Sequence, residues 1–190
     1  MESLEEKIAR VLSEEISLVK YDPNWVAMFE LEKRHLIDCL PKSIVMRIEH
    51  FGSTAIPGIF SKPIIDMLVE VSSLKETRKF IVPILENQGY DYFWRPSWGD
   101  DIPPYYAWFI KRNKEGARTH HIHMVESGFE NWERLLFRDY LKEHPNLAQE
   151  YSDLKEDLSI QFKNDRVQYT NAKTDFITKA TNSAKEYYNT

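Results

Sequence analysis

The sequence predicts an α+β fold: a mixed or antiparallel sheet flanked by helices, with a helical C-terminal segment. Three observations carry this. Helical patterns precede the first strand. The strand-like segments then gather between residues 44 and 125 without strict β–α alternation. From Gly128 onward the pattern is helical almost to the end.

Taken in order, Leu4, Ile8, Val11, Leu12 and Ile16 recur near a period of 3.6, which predicts a helix over residues 3–16. A short extended piece follows at Leu18 to Tyr21. Asp22-Pro23 reads as an N-cap followed by proline at the first helical position. The helix it starts carries Trp25, Phe29, Leu36 and Leu40 and stops at Pro41. Ile44 to Phe51 is a strand, followed by a loop with Gly52, Pro57 and Gly58. The run IIDMLVEV after Pro63 is too short for a typical helix and rich in β-branched residues, so it predicts a central strand. Leu74 to Gln88 is helical, with Gly89 as its stop. Tyr90 to Trp94, Tyr105 to Arg112 and Arg118 to Val125 are strands, the first two separated by a loop of turn formers and the last two by a tight turn at Asn113 to Gly116. The helical tail breaks near His144-Pro145.

Length and composition bound the rest. A chain of 190 residues, 42% apolar and 29% charged, supports one globular domain with a real core. A net charge of −5 argues against a broad nucleic-acid surface but not against one basic pocket. Cys39, the only cysteine, excludes an internal disulfide and a Cys-rich zinc site; its apolar helical setting predicts a buried thiol. No apolar run reaches the roughly 20 residues that span a bilayer, and the acidic, amphipathic first 17 residues are wrong for a signal peptide. The chain reads as cytoplasmic.

The segment FGSTAIPGIFSKPIIDMLVEV concentrates the chemistry. Gly52 lets the backbone approach a phosphate closely, and the Ser53 hydroxyl and nearby amides can donate to it. After twelve intervening residues, Asp66 places a carboxylate in an apolar strand, which is costly unless it is paired, bound to metal or at an exposed strand end. Further on, strand alternation puts His121 and His123 on one face and His120 on the other. Two readings fit the pair. Either both imidazoles join Asp66 as metal ligands, or one is a hydrogen-bonded core residue and the other a substrate contact. His50 either reaches the same cleft or stacks beneath it. Lys62, Arg138, Lys155 and Lys173 are the cations to place around an anion, against the alternative of plain solvation. Arg138 and Asp139, being adjacent, do not share a helix face, whereas Tyr169 and Lys173 do. Leu135, Leu136, Leu141, Leu147, Leu154, Leu158, Phe162 and Phe176 read as core. Trp98 and Tyr105 to Trp108 fit either ring stacking or packing.

The strings YDPNW, RIEHFGSTAIPGIFSKPIIDMLVEV, HIHMV and FRDYLKEHP followed by YSDLK occur in this order across roughly residues 19–177. In combination they resemble the GrpB family. That resemblance implies a DNA polymerase beta-like nucleotidyltransferase fold; some members of the family are fused to dephospho-coenzyme A kinase. The implied organisation is a single domain over 1–190, with an α/β core at 18–127 and a helical C-terminal subdomain at 128–185. The implied activity is transfer of a nucleotidyl or related phosphoryl group to a small molecule, with a nucleotide or other phosphorylated small molecule as partner. In this scheme Asp66 and His123 are catalytic, and Asp66, His121 and His123 hold a divalent metal (Mg, Mn or Zn). Gly52, Ser53, Lys62, Arg138 and Lys173 bind phosphate. One departure stands out: the superfamily pattern wants a second carboxylate two residues after the first, and Leu68 occupies that position. Glu70 shares the face of Asp66 but lies about 13 Å away along the strand, too far to serve the same ion. A module of the same fold that binds a nucleotide or coenzyme A-related ligand and has lost transfer chemistry is therefore the alternative reading.

Overall fold

A computed structural model describes residues 3–13, 15–96 and 103–189. Five strands form one sheet in the order β1-β2-β5-β4-β3: β1 (Val45–Phe51), β2 (Ile65–Val71), β3 (Asp91–Pro96), β4 (Tyr105–Arg112) and β5 (Arg118–Val125). The β2–β5 pair is parallel and the other three are antiparallel, so the sheet is mixed, as the segment order predicts. β2 lies inside the sheet, which explains its near-continuous apolar run: Ile65, Met67, Leu68 and Val69 are all fully buried.

Helix α2 (Asn24–Cys39) covers one side of this sheet. Its buried stripe is Trp25, Phe29, Glu32 and Leu36, at helical spacing. The helix starts one residue later than the Asp22-Pro23 pattern suggests, yet the Asp22 carboxylate still accepts from the Asn24 N–H at 2.9 Å. Glu32 is the unexpected member of an apolar stripe. Both of its oxygens are satisfied in the interior: the Tyr90 hydroxyl donates to one at 2.5 Å and Lys111 Nζ donates to the other. Cys39, predicted buried, is only half-buried, at the end of the same helix; burial still pushes its thiol up from the ordinary range.

The helical passage after β2 runs through α3 (Leu74–Glu76), a π-helical stretch (Thr77–Ile81) and α4 (Val82–Asn87). Pro83 has no N–H to give and its ring crowds the preceding turn, so a wider turn just before it is the expected response. Gly89, at φ +85°, ends the passage in the left-handed conformation that suits glycine.

Chain packing divides the molecule into two units. The sheet unit comprises Asp22–Ala55 and Ile64–Trp132. The helical unit takes the chain up to Tyr21, the insert Ile56–Pro63 and the chain from Glu133 on. It contains α1 (Leu4–Ser13), α5 (Glu133–Glu143), α6 (Pro145–Gln161), α7 (Arg166–Asn171) and α8 (Thr174–Tyr188). The sequence pattern places a boundary near residue 128, whereas this unit is discontinuous. The physical reason is Ile56 and Ile59 of the insert, which bury among Phe137, Leu141, Ala148, Tyr151 and Ala180. Ile16 likewise buries against Leu158 and Tyr169. No helix of the described residues is long and apolar enough to cross a membrane.

One turn of α6 fixes the insert by its backbone. Ser152 Oγ accepts from the Phe60 N–H at 2.9 Å, and Lys155 Nζ donates to the Phe60 carbonyl. Lys155 is 1% exposed, and burial, with Lys62 nearby, lowers its ammonium from 10.5 to about 7. The unfolded chain then holds the extra proton above that value, so this group's contribution to stability rises as pH climbs from about 7 toward 10.5. From about pH 7 to about pH 9.5 the wild-type chain should gain about 3 kcal/mol relative to Lys155→Met in urea unfolding, at about 1.4 kcal/mol per pH unit. Parallel pH profiles for the two proteins would contradict the buried-ammonium account.

Candidate functional site

Strand register assembles the site. Asp66 pairs with His121 across the parallel β2–β5 ladder, and Leu68 pairs with His123. Paired residues share a face, so Asp66 and both histidines emerge on one side of the sheet. Their potential ligand atoms all lie within 4.8 Å of one another, and among the described residues no other histidine, cysteine or carboxylate group of three or more converges in this way. His121 Nδ1 stands 3.2 Å from Asp66 Oδ1. Donors around one tetrahedral zinc sit about 3.4 Å apart, so small side-chain rotations would close this set on an ion. The Asp66 side chain is 29% exposed while that of His121 is 11% exposed, leaving the carboxylate as the open edge of the group.

Aromatic rings hold the imidazoles in place. Tyr106 stacks on His123 at 5.5 Å, Phe51 meets it edge-on at 5.3 Å, and Trp108 meets His121 edge-on at 5.2 Å. Two nitrogen ligands fixed by packing and one carboxylate make a donor set suited to zinc or manganese. Magnesium prefers oxygen throughout.

The Gly-Ser turn adjoins this group in a way the sequence does not reveal. Gly52 has φ +71°, and a Cβ there would lie 2.5 Å from Asp66 Oδ2 and 3.0 Å from Asp66 Cβ. Glycine is therefore required by both backbone conformation and the close approach of the carboxylate. Ser53 opens a short 3₁₀ turn, Ser53–Ala55. Thr54 Oγ1 donates to the Ile64 carbonyl at 3.3 Å, so His50 Nε2, 3.0 Å from the same oxygen, supplies the proton in that contact. His50 stacks on Phe29 at 4.8 Å and pairs with Met67, which puts it on the opposite face from Asp66. It buttresses the turn from beneath and does not join the site.

The remaining predicted residues fall in two groups. Leu68 is fully buried at the second carboxylate position, and Glu70 pairs with Arg47 at 3.4 Å, so neither supplies a second acid beside Asp66. The three cations belong to the helical unit. There Lys62 Nζ and Lys173 Nζ lie 5.5 and 4.0 Å from the Tyr169 ring centre. Arg138 corrects the expectation from helix geometry. It grips the adjacent Asp139 with both Nε and Nη2, at 2.7 and 2.8 Å, because its long side chain folds back along the helix surface. His120, on the α2 side, is buried, and that burial lowers its pKa. Trp98 lies outside the described residues.

Known proteins are similar to this chain in sequence and fold. The family described as GrpB protein matches residues 15–183. The chain is 38% identical over 169 residues to the glutamate-rich protein GrpB of Alkalihalophilus pseudofirmus, covering 88% of this chain and 95% of that one. It is also 38% identical over 173 residues to the UPF0157 protein YqkA of Bacillus subtilis. That match takes in 90% of this chain but 48% of YqkA, so the chain spans about half the length of that relative. The crystal structure of the conserved protein GrpB from Enterococcus faecalis superposes with a TM-score of 0.77 at 31% identity, over 90% of this chain and 99% of that one.

The Gly52–Asp66 contact is open to a double-mutant test. Gly52→Ala should cost about 3 kcal/mol in urea unfolding, from left-handed strain and overpacking together. In an Asp66→Ala background the worst contact is gone, and the cost should fall to about 1 to 2 kcal/mol. Equal costs in both backgrounds would show that Asp66 is not the obstacle.

Proposed function

The chain belongs to the GrpB family, and we propose that it is a metal-dependent enzyme transferring a nucleotidyl or related phosphoryl group to a small molecule. The observation that supports this reading is the convergence of Asp66, His121 and His123 beside the Gly52-Ser53 turn. Asp66, His121 and His123 would hold one divalent ion, zinc or manganese in preference to magnesium. Bound there, the ion would neutralise charge on a phosphate oxygen. The Ser53 hydroxyl and the amides of its turn would orient the phosphate. Asp66, the most accessible of the three, would lie on the substrate side, and His123, held between Tyr106 and Phe51, would be a fixed nitrogen ligand.

A second reading keeps the phosphate site and drops the transfer step. The favouring observation is the local shortage of carboxylates: Leu68 is apolar and buried, and Glu70 is tied to Arg47. On this reading the chain binds a nucleotide or coenzyme A-related ligand without turning it over.

Pyrophosphate release from nucleoside triphosphates, measured with manganese, zinc or magnesium supplied separately, separates the two. The transfer reading predicts release stimulated most by manganese or zinc and reduced at least about 100-fold in Asp66→Ala. Undiminished turnover in that variant would exclude the assigned centre. Thermal stabilisation by nucleotide with neither metal dependence nor turnover would select the binding reading.

A further inference from the structure

On the face that carries Asp66, His121 and His123, a fourth strand adds a cation that the sequence pattern does not single out. Arg95 in β3 pairs with Tyr106 in β4, and Tyr106 stacks on His123. Trp108, two residues along β4, pairs directly with His123 and lies edge-on to His121. Register therefore carries Arg95, Tyr106, Trp108 and both histidines on the same side of the sheet.

The Arg95 guanidinium sits over the Trp108 ring, 4.6 Å from its centre. Arg95 is exposed, and among the described residues no carboxylate pairs with it. A ring face attracts the cation through its quadrupole and uses none of its N–H donors. The guanidinium is thus held in one place with its planar fork still available, the form in which arginine binds an oxyanion through two parallel hydrogen bonds. Beneath it, Trp108 is only 6% exposed, and its indole N–H is buried without an acceptor among the described residues.

Distances limit what could span the gap. The Trp108 ring centre is 5.2 Å from that of His121 and 6.0 Å from that of His123. With the guanidinium 4.6 Å above the same ring, a ligand touching both Arg95 and the histidine pair spans at most about two strand spacings, about 10 Å. We propose that Arg95, seated on Trp108, is the oxyanion anchor for a di- or triphosphate group whose other end reaches the Asp66–His121–His123 set. This inference rests on the reading of that set as a metal centre. It deepens that reading by naming the substrate class, a diphosphate-containing small molecule, and the residue that selects it.

Isothermal titration calorimetry with inorganic pyrophosphate tests it, using the full chain with and without manganese. Arg95→Met should weaken pyrophosphate binding at least tenfold while leaving manganese affinity unchanged, and Arg95→Lys should recover only part of the loss because lysine lacks the planar fork. Trp108→Leu, which removes the ring under the guanidinium, should weaken pyrophosphate two- to tenfold. Pyrophosphate affinity in Arg95→Met within twofold of wild type overturns the anchor, as does a wild-type chain that binds no pyrophosphate. A wild-type chain that takes up no manganese yet binds pyrophosphate in an Arg95-dependent way would retain the anchor and sink the metal reading. The two failures are therefore distinguishable.

Discussion

Parallel pairing between β2 and β5 puts Asp66 beside His121 and Leu68 beside His123, and the chemistry of the candidate site follows from that register. A slip of one residue would turn every side chain of one strand to the other face and exchange His121 and His123 for His120 and Ile122. The register is protected by what lies on the opposite face. Met67, Ile122 and Phe109 are fully buried there, so a slip would drive histidines into that packing. Burial on one face thereby fixes the geometry of ligands on the other.

The same register sets the site's limits. Because Leu68 faces His123, the place where a second carboxylate would stand is filled by a buried methyl-bearing side chain. The carboxylate that remains is crowded by the preceding turn, so that a Cβ at position 52 would lie 2.5 Å from Asp66 Oδ2 and force a shift. The set is consequently richer in nitrogen than in oxygen, a composition that suits transition metals better than magnesium. Aromatic rings surround the imidazoles, so the histidines are held by packing, and the open edge lies at Asp66.

Much of this was legible in the sequence, and the exceptions have identifiable causes. The strand limits of β4 and β5 follow from alternation and turn residues, and the shared face of His121 and His123 follows from the period of two. Their meeting with Asp66 depends on a parallel pairing across 55 residues, which no local pattern encodes. The insert at Ile56–Pro63 reads as a loop, because two isoleucines and a phenylalanine among prolines and glycine have no periodicity to mark them as the core of a helical unit. Glu32 was invisible in an apolar stripe because its partners, Tyr90 and Lys111, come from elsewhere in the chain. The expected strand stops at Trp94, which leaves Arg95 in the loop of turn formers that follows. Only the pairing of β3 with β4 sets it over Trp108.

The central claim is that Asp66, His121 and His123 together form one metal centre. Anomalous diffraction from crystals soaked in manganese tests it most directly. A metal centre at these residues gives a single strong peak about 2.0 to 2.3 Å from one Asp66 oxygen and one nitrogen of each histidine. A peak bound elsewhere, or none at these three residues under saturating metal, would contradict it.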